Sequence, residues 1–172
     1  MSHINVEIKA RCGDQEKIRK ILRERDANFK GTDHQIDTYF NVSNGRLKLR
    51  EGNIENFLIY YERENIAGPK QSNVTLYATA PRSSLKRILE KVLGVSVVVD
   101  KMREIFFIEN VKFHLDRVQG LGTFVEIEAI DRDGTIGKEK LSEQCNNYLE
   151  LFKIKTKDLL RESYGDLLLR TR

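Results

Sequence analysis

Polar and apolar residues alternate strictly through Asn5-Val6-Glu7-Ile8-Lys9-Ala10, the period of a β-strand with one buried face. The same alternation recurs over 35–40, 46–51, 57–63, 74–79, 95–108, 111–118 and 123–130, which predicts eight strands. Asn44-Gly45 is a tight-turn pair, and Glu109-Asn110 between Phe107 and Val111 reads as a second hairpin, so neighbouring strands are expected to run antiparallel. Helical spacing punctuates them. Asp14 caps an amphipathic run to Arg25 with Ile18, Ile21 and Leu22 on one face. Pro81 stands at the first helical position of a second run carrying Leu85, Ile88, Leu89 and Val92, with Gly94 as its stop. A third helix is predicted over 138–152, and a shorter one over 159–169 is expected to dock on the strands and close one mouth.

The strands have two unlike faces. Val6, Ile8 and Ala10, Leu47 and Leu49, and Val125, Ile127 and Ala129 form apolar faces that amphipathic helices can cover. The opposite faces carry Glu7 and Lys9, then Arg46, Lys48 and Arg50, then Arg63, Lys101 and Arg103, then His114 and Asp116, and finally Glu126 and Glu128. On an open sheet these would be a solvated surface. Eight strands tend to curl or close, and closure would turn the charged faces into a lumen where they need partners or a ligand. The expected fold is therefore α+β: a closed eight-stranded antiparallel β-barrel with helices packed outside, as a single domain over residues 1–172.

Composition supports a packed globular chain with charge to spare. Of 172 residues, 40% are hydrophobic and 33% charged, with two prolines and no tryptophan, so some charge is expected inside. The net charge of +4 suits an anionic ligand without requiring one. No run is apolar enough for a membrane span, and Glu7, Lys9 and Arg11 interrupt any secretory leader. Cys12 and Cys145 have neither disulfide nor zinc spacing, so a reducing cytoplasm is the expected location.

Two glutamates two residues apart on a strand point the same way and can share a hard cation, magnesium or manganese. Facing Lys and Arg side chains would grip phosphate oxygens. Metal plus polyphosphate is thus the filling that the sorted charges suggest.

The motifs resemble those of the CYTH superfamily, the triphosphate tunnel enzymes named for class IV adenylyl cyclases and thiamine triphosphatases. The resemblance spans nearly the whole chain. It rests on Asn5-x-Glu7-x-Lys9, Gln35-x-Asp37-Thr38-Tyr39-Phe40, Gly45-Arg46-Leu47-Lys48-Leu49-Arg50, Tyr61-x-Arg63, Gly68-Pro69-Lys70-x-Ser72, Lys101-x-Arg103 and the run from His114 to Glu128. The segments 68–72 and 114–122 are most similar to bacterial class IV adenylyl cyclases. The resemblance implies metal ligation by Glu7, Glu126 and Glu128, and triphosphate binding by Lys9, Lys48, Arg50, Arg63 and Arg103, with Lys101 and Arg46 as further cations. It implies catalytic roles for Lys9 and Asp116. Asn5 stands where the family motif has a glutamate; an amide oxygen can still ligate magnesium but brings no charge, which puts a second metal in doubt.

The implied activity is conversion of ATP to cyclic AMP and pyrophosphate. A triphosphatase acting on inorganic or thiamine triphosphate, or a non-catalytic triphosphate-binding domain, is the alternative. A partner role for RNA ends has no basic strip or aromatic platform behind it, no membrane partner is indicated, and homodimerisation is left open. His3 and His34 read as surface or loop residues; Tyr39, Phe40, Phe106 and Phe107 read as packing.

Overall fold

The computed structural model describes residues Met1–Arg172. Its elements run β1 (Ser2–Arg11), α1 (Gln15–Glu24), β2 (Asn28–Phe40), β3 (Arg46–Glu51), β4 (Phe57–Arg63), β5 (Lys70–Ala78), α2 (Leu85–Leu93), β6 (Val95–Ile108), β7 (Val111–Val118), β8 (Gly122–Asp131), α3 (Lys138–Leu151) and α4 (Tyr164–Arg170). The eight strands close into an antiparallel barrel in the order β1-β5-β4-β3-β2-β6-β7-β8. Closure leaves no sheet edge.

The apolar faces go outward, under helices. Val6, Ile8 and Ala10 of β1, Phe113 and Leu115 of β7, and Val125, Ile127 and Ala129 of β8 pack with Ile18 and Leu22 of α1 and Leu141 and Cys145 of α3 in one core. Asp14 caps α1 as expected, its side chain accepting from the Lys17 N–H at 3.2 Å. A second apolar cluster lies within the barrel, where Tyr39, Ile59, Val97, Val118 and Phe124 meet Tyr164 of the C-terminal helix. The tail thus plugs one end. Lys70, 1% exposed, helps to hold it by donating to the Leu160 carbonyl at 2.8 Å.

Several boundaries differ from the sequence reading, β5 among them, which begins at Lys70 and not at 74. Helix α2 starts at Leu85 behind Ser84, leaving Pro81 outside it, and buries none of its residues. Residues 159–163 precede α4, whose capping box of Ser163 and Asp166 sets the start. Strand β2 reaches back to Asn28 through a bulge at Phe29/Gly31, where positive φ at Gly31 (130°) relieves a backbone that blurs the alternation. No helix is long and apolar enough to cross a membrane. Both cysteines are free and buried.

Candidate functional site

Because side chains alternate across each strand, one side of every strand faces a common lumen. A cavity of about 120 Å³ lies there. Its lining includes seven Lys and Arg residues (Lys9, Lys48, Arg50, Arg63, Lys101, Arg103, Lys112) and four glutamates (Glu7, Glu55, Glu126, Glu128).

One wall is built by β1, β8 and β7. The antiparallel register sets Glu7 opposite Glu128 and Lys9 opposite Glu126, while His114 lies opposite Glu126 and Lys112 opposite Glu128. Arg63 donates to Glu7 at 2.6 Å. The Asn5 Nδ2 donates to Glu128 Oε1 at 2.5 Å, and its Oδ1 is buried without a partner. Burial pushes the Glu128 carboxyl up, with Glu126 and Glu7 adding to it and Lys112 opposing. Burial also raises the Glu126 carboxyl, but Lys9, His114 and Arg103 outweigh it and hold this group well below the usual range. His114 is pulled down to about 3, first by burial and then by Arg103, so its ring is neutral at neutral pH. Lys9 faces the cavity with its ammonium 3.9 Å from the Tyr164 ring centroid; burial lowers its pKa, and nearby Glu126 offsets this only in part.

The opposite wall, from β2, β3 and β6, is locked by carboxylates. Asp37, 1% exposed, takes two hydrogen bonds from Arg50 at 2.9 Å, one from Lys101 at 2.8 Å, and an ion pair from Lys48 at 3.0 Å. Arg103 grips Asp116 through two bonds of 2.7 Å and reaches Glu126 at 3.1 Å. The Tyr164 hydroxyl donates to the same Asp116 at 2.6 Å. Such forked pairs fix guanidinium direction, so Asp116 sits behind Arg103 as its support and does not line the cavity.

Glu55 closes the far end of this wall. It comes from the loop 52–56, where the buried Asp33 carboxylate accepts from the Asn53, Ile54 and Glu55 N–H groups. So placed, it accepts from Arg50 at 2.9 Å and pairs with Lys112.

The fold brings Glu7, Lys9, Lys48, Arg50, Arg63, Lys101, Arg103, Glu126 and Glu128 together around the cavity, with Asn5 beside them. Arg46 stands apart: its side chain is 47% exposed and pairs with Asp166 of α4 at 3.0 Å. Sequence reasoning passed over Asp37, Lys112, Glu55 and Tyr164. The first two could have been found, since Asp37 shares a face with Gln35 and Lys112 with His114 by period two; nothing local marks the loop Glu55 or the tail Tyr164. Tyr39, read as packing, does line the cavity together with Tyr61.

The donors suit a hard dication. Two glutamates lie beside an asparagine whose amide oxygen is unpartnered, and a bound cation would offset the burial and the glutamate repulsion that raise Glu128.

The model of the CYTH domain family matches residues 3–164. A Methanocaldococcus jannaschii protein named "putative adenylate cyclase" is 28% identical over 95% of this chain and 98% of its own length. Among solved structures, a Vibrio parahaemolyticus protein described as a "putative adenylate cyclase" superposes with TM-score 0.76 at 18% identity, covering 98% of this chain and 99% of that one. A Hippeastrum protein described as a "putative adenylyl cyclase" with a dominant triphosphatase activity gives TM-score 0.64 at 13% identity, covering 98% and 95%. At these identities the two structures establish the shared barrel alone.

Proposed function

This chain belongs to the CYTH domain family, and from that membership we propose that residues 1–172 form a single metal-dependent triphosphate-processing domain of class IV adenylyl cyclase type, converting ATP to cyclic AMP and pyrophosphate. The carrying observation is the lumen itself, where seven Lys and Arg side chains and four glutamates line one cavity. Polyphosphate needs many donors, and glutamates facing a polyanion need a cation between them. Glu7, Glu126, Glu128 and the Asn5 Oδ1 would hold magnesium or manganese, which when bound neutralises phosphate oxygens.

In this reading, Arg63 and Lys48 at the cavity wall bind the phosphate chain, while Arg103 and Arg50, whose forks are held by Asp116 and Asp37, offer it their remaining N–H groups. Little covalent work falls to the protein, and positioning dominates. The ribose 3′-oxygen bonds to the α-phosphorus as the bond from that phosphorus to the bridging oxygen breaks, and pyrophosphate leaves. The hydroxyl proton goes to a base. Lys9 is the residue we assign to it, since it borders the cavity and burial disfavours its charged form. Asp116 has both oxygens occupied by Arg103 and Tyr164, so its part is to position. Ile59, Val74 and Leu76 give the cavity an apolar side, a surface that suits a nucleobase and has no use for inorganic triphosphate.

Incubation with ATP, inorganic triphosphate and thiamine triphosphate, each with magnesium or manganese, tests this reading. Cyclic AMP and pyrophosphate from ATP are expected. Orthophosphate as the only product would replace the cyclase by a triphosphatase, and metal-dependent binding without any product would leave a binding domain.

A further inference from the structure

Six buried side-chain polar atoms have no hydrogen-bond partner, and three of them belong to two residues on the same wall: Asn5 Oδ1 and both ring nitrogens of His114. These residues are 2% and 1% exposed. Buried polar groups are rarely left unpaired, and an ion is one of the few occupants that resolves such a case. Both residues sit beside the same pair of glutamates. Asn5 touches Glu128 through its other amide atom, and donor atoms of His114, Glu126 and Glu128 all lie within 4.8 Å of one another.

The spacing separates two explanations. His114 Nδ1 is 3.5 Å from Glu126 Oε2. A good N–H···O bond spans about 2.7–3.2 Å, so this contact is long for one. Two donors at about 2.1 Å from one cation, at a tetrahedral angle, lie about 3.4 Å apart. The observed separation matches that bite. Glu7, meanwhile, is engaged by Arg63 at 2.6 Å.

We infer that His114 is itself a metal ligand in this protein, giving a site of Glu126, Glu128, the His114 imidazole and the Asn5 amide oxygen that favours a transition-metal dication such as Mn²⁺, Co²⁺ or Zn²⁺ over Mg²⁺. The neutral nitrogen supplies the donor that Asn5 fails to supply as a carboxylate. Imidazole strengthens binding to borderline metals and does little for magnesium, which prefers oxygen and keeps its waters. This inference rests on the reading of Glu126 and Glu128 as a cation site, though not on which triphosphate is the substrate.

The test uses untagged, metal-free full-length protein and no substrate. Mn²⁺ is added and pulsed paramagnetic resonance is used to look for coupling to a directly bound nitrogen; one imidazole nitrogen is expected. His114→Ala should abolish that signal and weaken Co²⁺ binding about 10-fold or more, with Mg²⁺ affinity changed less than about threefold. His114→Asp should also lack the nitrogen signal and regain affinity for Mg²⁺ relative to Co²⁺. The wild-type resonance measurement stands even if a variant does not fold. Mn²⁺ bound in wild type without nitrogen coupling overturns the inference and leaves an all-oxygen site intact. Folded His114→Ala with unchanged Co²⁺ affinity overturns it as well, and failure of wild type to bind any of the metals overturns both it and the cation site.

Discussion

The two walls of the lumen are built from the same kinds of residue and are balanced differently. On the β2–β3–β6 wall the carboxylates are fully engaged: Asp37 of β2 is shared by Arg50, Lys101 and Lys48, and Asp116, reaching across from β7, is filled by Arg103 and Tyr164. On the β1–β7–β8 wall Asn5 and His114 keep unpaired buried atoms, and Glu128 is crowded by other glutamates. Unpaired buried groups cost stability and saturated ones do not. The first wall is therefore held in shape by its own carboxylates while it presents cations to the lumen, and the second keeps groups free for something that binds.

Breaking the saturated wall should have the largest effect. Asp37→Asn leaves three buried cations without their shared carboxylate and should cost about 3–5 kcal/mol, read as a lower urea midpoint. The pH dependence follows from the same contact. Burial pushes Asp37 up, but Arg50, Lys101 and Lys48 together hold its carboxyl well below the ordinary range. Its folded pKa is thus below the unfolded value of about 3.9. The stability it contributes is complete above that value and is lost as the pH falls toward the folded one. The acid limb of the wild-type stability curve should flatten in Asp37→Asn. By the same logic Arg103→Ala, which strands the buried Asp116, should damage the fold before it reports on any ligand.

The other wall should respond in the opposite sense. Asn5→Glu exchanges an N–H donor to Glu128 for a like charge, so the metal-free protein should lose about 1.5–3 kcal/mol, the scale of a hydrogen bond to a charged group. Saturating divalent metal should recover that loss, giving a larger metal-induced rise in melting temperature than in wild type. An equal rise in both proteins would count against Asn5 lying at the cation site.

Arg63→Ala removes a cation that meets Glu7 and the Tyr61 ring at the cavity. Inorganic triphosphate titrated calorimetrically with manganese should bind about 1.5–3 kcal/mol more weakly, with the urea midpoint falling less than in Arg103→Ala, because Glu7 keeps some access to water that Asp116 lacks. The contrast with Arg103→Ala is the point: loss of stability in Arg63→Ala with normal binding would reverse the assignment. The smallest effect belongs to Glu55, an internal anion on Arg50 and Lys112. Glu55→Gln should tighten triphosphate binding by about 1 kcal/mol by freeing those donors; weaker binding would show that the carboxylate helps the site.

The legibility of the molecule followed the range of the interactions. Strand count, hairpins, the α1 cap and the sorting of apolar from charged faces could all be read from neighbours within a few residues. The start of α2 was misplaced because Pro81 and Ser84 are both acceptable helix openings, and no tertiary contact on that helix settles the choice in advance. The nine cavity-lining candidates were found because period two is rigid along a strand. Arg46 obeyed the same period yet lies beyond the cavity, since its strand begins at the mouth where Asp166 waits.

Alternation alone determined which side chains share a face, because successive residues of any extended chain point in opposite directions. It could not determine who meets whom across the lumen. That Asp37 of β2 gathers cations from β3 and β6 depends on closure and stagger of the whole barrel, as does the seating of Glu55 and Tyr164 against residues 5 and 48 positions away. Which groups of that charged interior find partners and which, like Asn5 Oδ1 and the His114 ring, do not was likewise decided only by tertiary structure, because pairing is a property of distance in space and the period of a strand carries no record of it.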